Sequence, residues 1–143
     1  SKYLHVQVGD LVFNKLRTWQ GGLGVSAYEG VVSPAYYVCR PTPAIHPEYL
    51  HYLLRSDVYL GELTRTSKFM PPSQFDISGD DLKTLPILMP PLSEQQQIAD
   101  FLDRETNRID AIIGKCRESV ALLRERRQAL ITAAVTGELE VAA

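Results

Sequence analysis

The chain has 143 residues, of which 45% are apolar and 22% are charged. This composition is typical of one globular domain and excludes an intrinsically disordered chain. Fifteen Lys and Arg against 17 Asp and Glu give a net charge of -2, which excludes the broadly basic surface of a stand-alone nucleic-acid binder but not a local basic patch. The two cysteines form no C-x-x-C pair, and no apolar run reaches the length of a membrane span.

The first 91 residues are predicted to form a small, mixed α+β domain. All nine prolines lie between Pro34 and Pro91, so this part is rich in turns. In chain order, the patterns predict a strand at 11–13, a glycine turn at 21–24, strands at 30–33 and 35–39, a helix from Pro47, a second helix capped by Ser56, and an extended segment at 85–89.

A single long helix is predicted after Pro91. Ser93 and Gln96 have the spacing of a capping box, and Gly137 is a natural C-terminal stop. The helix over residues 94–136 would be about 65 Å long at 1.5 Å per residue. A domain of 91 residues is too small to cover a rod of that length, which disfavours the alternative that the helix only packs on its own domain.

The apolar residues of this helix have the spacing of a coiled-coil seam. Polar residues interrupt the seam and further apolar residues widen it, which favours an antiparallel or multi-helix contact over a strict parallel dimer. The predicted interface residues are Leu102, Ile109, Cys116, Leu123 and Leu130 at every seventh position, with Ile98 and Ile112 at companion positions.

No catalytic constellation is present in the sequence. His46 and His51 do not have the spacing of an H-E-x-x-H zinc site, and the glycines at 21–24 do not form G-x-G-x-x-G or a P-loop. The sequence therefore predicts a non-enzymatic protein without a metal or cofactor.

One polar segment, residues 14–22, is a candidate DNA-binding loop. Arg and Lys can neutralise phosphates, and Arg also pairs with guanine. Asn and Gln pair with adenine, and Trp stacks on a base or a sugar. The alternative is an ordinary strand-to-turn connection with its tryptophan in the core. The candidate residues are Asn14, Lys15, Arg17, Trp19 and Gln20.

A second candidate lies in residues 65–74, which are polar, mildly basic and stiffened by prolines. Lys68, Ser73 and Gln74 are its candidate DNA-binding residues. The alternative is a plain surface connection.

Four stretches of the sequence resemble the specificity subunit of type I restriction–modification systems. Residues 85–103, with the pattern L-P-x-x-x-P-P-L-x-E-Q-x-x-I-A, resemble the end of a target-recognition domain that enters its conserved helix. Residues 122–137 resemble the closing stretch of those subunits, and residues 9–17 and 30–36 also resemble the recognition domain.

The resemblance implies a target-recognition domain at 1–91 and a conserved helix for spacing and dimerisation at 92–143. It implies a non-catalytic subunit that reads one half of a bipartite site in double-stranded DNA. The two cysteines, read as free thiols, predict a reducing cytoplasm. In that family, long helices pair antiparallel and dock the adenine-N6 methyltransferase subunits, and the nuclease and translocase subunit joins the assembly.

The chain departs from the family in holding one recognition domain and one helix, and the recognition part is short, as though its first strands were missing before Ser1. We therefore expect either a C-terminal fragment or a half-subunit, and a half-subunit would restore two-fold geometry as a homodimer through the helix. The alternative function is a coiled-coil interaction module that has no DNA specificity of its own.

Overall fold

The structure is a computed structural model, and it describes residues 3–70 and 74–139. The chain divides into two compact units, one up to Asp100 and one from Phe101 onwards. Small antiparallel sheets and short helices make up the first unit, and the second is helical. The predicted α+β class with a long C-terminal helix is thus confirmed, while the functional division at residue 91 stays a prediction.

A three-stranded antiparallel sheet lies at the centre of the first unit. Its central strand is β2 (Leu11–Asn14), which pairs with β3 (Leu23–Val25) on one side and with β5 (Tyr36–Cys39) on the other. Because side chains alternate along a strand, β2 directs Leu11 and Phe13 into the core.

Two further strand pairs flank this sheet. Strand β1 (Leu4–Val6) pairs antiparallel with β4 (Gly30–Val32). Strands β6 (Lys68–Met70) and β7 (Gln74–Asp76) pair antiparallel, with Phe69 opposite Phe75.

Helices α1 (Pro47–Arg55) and α2 (Asp57–Thr66) pack around the sheet, and the short helix α3 (Gly79–Lys83) follows β7. Pro47 is the first residue of α1, as predicted. Ser56 lies at the N-cap of α2, but its hydroxyl donates to the Leu53 carbonyl, so the predicted capping bond is absent. The buried core consists of Leu11, Phe13, Leu23, Leu50, Leu54, Leu63 and Ile77.

Helix α4 (Leu92–Val135) begins two residues earlier than predicted. Ser93 therefore lies inside the helix, and the predicted capping box is wrong, since the Gln96 amide donates to Asp100 instead. Just beyond the helix, Gly137 adopts a φ of 79°, the left-handed conformation that favours glycine after a helix and supports its predicted role as the stop.

Gln95 ties the first turn of α4 to the small domain. Its side chain is only 1% exposed. Its carbonyl oxygen accepts a hydrogen bond from the His46 backbone N–H at 2.8 Å, and its amide nitrogen donates to the carbonyls of Ala44 and Pro90 at 3.1 and 2.8 Å. One glutamine side chain thus satisfies three backbone groups, two of them about 50 residues away along the chain.

Two tyrosines hold the segment that leads into α4. The Tyr59 hydroxyl donates to the Pro86 carbonyl at 3.0 Å and accepts from the Leu88 N–H at 2.9 Å. The Tyr49 hydroxyl donates to the Leu88 carbonyl at 2.9 Å, and burial raises the pKa of this hydroxyl. The segment predicted as extended at 85–89 is therefore fixed by side chains and forms no described strand.

Asp10 forms a second buried polar cluster. The whole residue is only 3% exposed. Its carboxylate accepts from the Gln7 N–H at 2.8 Å and from Arg40 Nε at 3.2 Å, and so links the turn before β2 to the end of β5. The Gln7 N–H is the main cause that lowers the pKa of Asp10, with Arg40 adding to it against the opposing effect of burial.

The Gln95 bonds predict a large effect of Gln95→Leu. The substitution leaves three backbone groups without their partner, so we expect the free energy of unfolding to fall by about 3 kcal/mol, since each unpaired buried group costs about 1–3 kcal/mol. The matched control is Gln96→Leu on the exposed face of the same turn, with an expected change below about 0.5 kcal/mol. Equal urea midpoints for the two variants would contradict this role of Gln95.

The lowered pKa of Asp10 predicts a pH-dependent effect of Asp10→Asn. An aspartate whose pKa lies below its ordinary 3.8 stabilises the fold above that pH, and it loses this contribution as the pH falls through the folded pKa. The wild type should exceed the Asn variant in stability at pH 7, and the difference should shrink below pH ~3.8. Urea unfolding at both pH values measures the difference; a gap that stays constant at acid pH would contradict the role of the charge.

Candidate nucleic-acid interface

The loop after β2 is closed by its own backbone. The Asn14 N–H donates to the Gly22 carbonyl at 2.8 Å, and the Gly22 N–H donates to the Arg17 carbonyl at 2.8 Å. A short 3-10 turn at Thr18–Gln20 lies between them and ends at Gly21, whose φ of 79° favours glycine. At Gly22, a Cβ atom would lie 2.6 Å from the Arg17 carbonyl oxygen, so this close approach also requires glycine.

Two of the predicted DNA-binding side chains form bonds inside this loop. The Asn14 side-chain oxygen accepts from the Leu16 N–H at 3.1 Å, which is the local turn that asparagine favours. The indole N–H of Trp19 donates to the Leu16 carbonyl at 3.1 Å. Both side chains are half-buried, and they stabilise the shape of the loop.

Lys15 is held by the connection between β4 and β5. Its ammonium nitrogen donates to the Pro34 carbonyl at 2.7 Å and lies 4.5 Å from the centre of the Tyr37 ring. The half-buried lysine thus fixes one side of the loop to the neighbouring turn.

Arg17 and Gln20 differ from the other three predicted residues. Both side chains are exposed, and the described part of the chain gives neither of them a hydrogen bond or an ion pair. The loop therefore presents one guanidinium and one carboxamide to solvent from a backbone that is internally bonded.

The structure brings the two predicted segments together. The ring centres of Trp19 and Phe75 lie 5.0 Å apart, and those of Phe75 and Phe69 lie 5.2 Å apart. The Ile77 N–H also donates to the Lys15 carbonyl at 3.3 Å. The loop and the β6–β7 hairpin therefore form one continuous surface, which we call the loop–hairpin surface. No sequence pattern indicated that Phe69 and Phe75 pack next to Trp19.

The remaining predicted residues of the second segment are only partly described. Lys68 is exposed on β6, opposite Asp76 in the register. Gln74 lies in β7 opposite Met70, and its side chain lies outside the description. Ser73 falls outside the described residues.

The predicted seam of the long helix changes in exposure along its length. Ile98 and Leu102 are half-buried, whereas Ile109, Ile112, Cys116, Leu123 and Leu130 are all exposed. Leu123 is 64% exposed. The part of α4 from residue 109 onward thus displays an uncovered apolar stripe, which is an unusual feature for a surface that meets only water.

Metal and nucleophile chemistry finds little support in the described residues. Within residues 3–70 and 74–139, no group of three His, Cys, Asp or Glu residues could hold a metal ion. Cys39 and Cys116 are both free. Partial desolvation, followed by the charge of Asp10, raises the pKa of the Cys39 thiol, which keeps it protonated at neutral pH. Nor does any helix in the described ranges have the length and apolarity to cross a membrane.

Comparison with known proteins places the chain in a family. Residues 17–120 match the family model described as "Type I restriction modification DNA specificity domain". This match covers more than half of the chain and includes Arg17, Gln20, the β6–β7 hairpin and the first part of α4. The chain belongs to this family, as its resemblance to specificity subunits implied.

Two curated relatives carry the same type of name. The chain is 30% identical over 103 residues to the Type I restriction enzyme StySPI specificity subunit of Salmonella potsdam, covering 72% of this chain and 22% of that protein. It is 28% identical over 102 residues to the Type I restriction enzyme EcoKI specificity subunit of Escherichia coli strain K12, covering 71% and 22%. The matched region thus spans 22% of the length of either relative.

A solved structure shares the fold. It is titled "Structural basis underlying complex assembly and conformational transition of the type I R-M system", and one of its chains matches with a TM-score of 0.71 and 23% sequence identity. The match covers 98% of this chain and 36% of that chain.

Proposed function

We propose that this chain recognises a DNA sequence as part of a type I restriction–modification complex, with the loop–hairpin surface in contact with DNA. The observation that carries the proposal is the family match over residues 17–120, because it includes most of that surface. The exposed Arg17 and Gln20 support it, since an internally bonded loop presents them without competing partners.

The chemistry of the exposed groups fits base and phosphate contacts. A guanidinium such as that of Arg17 donates two hydrogen bonds to guanine in the major groove, and a carboxamide such as that of Gln20 pairs with adenine. Lys68 would contact phosphate, which adds affinity without sequence information. Asn14, Lys15 and Trp19 then act mainly by fixing the backbone that carries the two reading side chains.

We assign no catalytic step to this chain. The curated relatives are named as specificity subunits of restriction enzymes, so methylation and cleavage would belong to an adenine-N6 methyltransferase subunit and to a nuclease and translocase subunit. These partners, together with double-stranded DNA in the cytoplasm, complete the proposed assembly. The net charge of -2 is compatible with DNA binding, because the partner subunits would supply part of the contact with the phosphates.

The uncovered stripe of α4 supports the proposed helix contact. Residues 109–130 present apolar side chains at seven-residue spacing, which a second helix would cover. A homodimer through this stripe would bring two recognition units into one assembly, and the methyltransferase would dock on the same helices.

A second candidate function is a coiled-coil module that binds another protein and has no DNA specificity of its own. The exposed stripe and the near-neutral charge favour it. A gel shift across a salt series with the methyltransferase present discriminates between the two, since contacts with phosphates weaken steeply as salt rises.

Arg17→Ala tests the reading loop. We expect the assembled complex to bind its target duplex about 10- to 100-fold more weakly, because a base-reading arginine contributes about 1–3 kcal/mol. Lys15→Ala should also weaken binding, since it releases the loop from Pro34. Filter binding at fixed salt measures both, with the exposed Lys83→Ala on α3 as control. Unchanged affinity in both loop variants would remove this loop from the DNA site.

Leu123→Asp tests the helix contact. A carboxylate in an apolar seam is costly to bury, so the variant should lose the oligomer. Leu122→Asp is the matched control, because Leu122 is equally exposed (65% against 64%) but lies outside the seven-residue pattern. Light scattering gives the mass; an unaltered mass in the Leu123 variant would refute the contact.

A further inference from the structure

We propose that Arg55, the last residue of α1, is a positioning residue that fixes the DNA-reading loop to the core. The inference rests on the proposed function, because it concerns how Arg17 and Gln20 are aimed at DNA. Arg55 itself need not touch the DNA for this role.

The contacts of Arg55 reach the end of the loop. One terminal guanidinium nitrogen donates to the Gly21 carbonyl at 2.9 Å and to the Leu23 carbonyl at 3.3 Å. These carbonyls lie where the 3-10 turn passes into β3. The guanidinium also lies close to Gly21 itself, since a Cβ atom built on that glycine would be 4.0 Å away from it. Gly21 is the residue whose φ of 79° turns the chain.

Arg55 links the end of this loop to α1, while His51 of the same helix accepts a hydrogen bond from Val25 N–H farther along β3. On its β2 side the loop is closed by the bond from Asn14 to Gly22, and Lys15 fixes it to the next turn. Arg55 adds a contact with α1, and the buried side chains of Leu50 and Leu54 anchor that helix in the core. The direction in which Arg17 and Gln20 point depends on the backbone, since their own side chains form no bond within the described residues.

Arg55 is exposed and charged, so a direct phosphate contact is the competing explanation. The two roles predict different behaviour. A phosphate contact strengthens binding to every duplex and adds to its salt dependence, whereas a positioning residue affects only the duplex that the loop reads. Lysine can replace arginine at a phosphate, but its ammonium ends one bond short of the terminal nitrogen with which Arg55 reaches the Gly21 and Leu23 carbonyls.

The test uses the complete complex, including its methyltransferase. Its affinity is measured for three duplexes across a salt series: the target, a single-base variant of the target and an unrelated duplex. The proteins are wild type, Arg55→Met, Arg55→Lys, Arg17→Ala and the charge control Lys83→Met, which removes an exposed cation from α3. Arg55→Met should weaken binding to the target duplex about tenfold, because the loss of one well-placed base contact reduces affinity by about this factor. Binding to the unrelated duplex and its salt slope should not change, and Arg55→Lys should not restore the loss.

Hydrogen exchange provides a second readout without DNA. The loop amides should exchange faster in Arg55→Met than in Lys83→Met, because the loop loses its contact with α1. Equal exchange in the two variants would overturn the positioning role.

Other outcomes separate this inference from the proposed function. Equal weakening of all three duplexes, a salt slope smaller by about 1 and rescue by lysine would make Arg55 a phosphate contact instead. A loss in Arg17→Ala without any loss in Arg55→Met would overturn the positioning role alone. If neither variant loses affinity, the loop is not the reading site, and both proposals fall.

Discussion

The packing of α1 against the central sheet is the contact on which the rest of the first unit depends. Leu50 and Leu54 are almost completely buried on one face of this nine-residue helix. At its start, the His46 N–H is bonded to Gln95 in the first turn of α4. At its end, Arg55 is bonded to the loop that carries the exposed arginine. One short helix therefore connects the core, the beginning of α4 and the candidate DNA-binding loop.

The parts of the fold that the sequence predicts are those with a local signal. A proline at the first helical position marked α1, and the long apolar repeat marked α4. Strand β1, strand β3 and the β6–β7 hairpin were missed, since three-residue strands are too short to show a two-residue period. The equally short β4 was predicted from its two adjacent valines. The start of α4 was misplaced by two residues because Ser93 and Gln96 have capping spacing but lie within the helix.

For the candidate site, the sequence indicated the segment but not the separate roles within it. Five polar or aromatic residues between positions 14 and 20 looked equally able to bind DNA. The structure shows that Asn14 and Trp19 bond to the backbone of Leu16, and that Lys15 bonds to Pro34. Neither Gln95 nor Arg55 could be assigned a role from sequence, because all their partners except Pro90 lie more than 30 residues away along the chain.

Site-specific photocrosslinking tests the central claim most directly. A photoreactive amino acid replaces Gln20 in the assembled complex, which is then irradiated with labelled target duplex. If the loop reads DNA, the chain crosslinks to that duplex, and unlabelled target competes the crosslink away while a scrambled duplex does not. A complex that still binds the duplex but gives no crosslink from position 20 would contradict the claim that this loop contacts DNA.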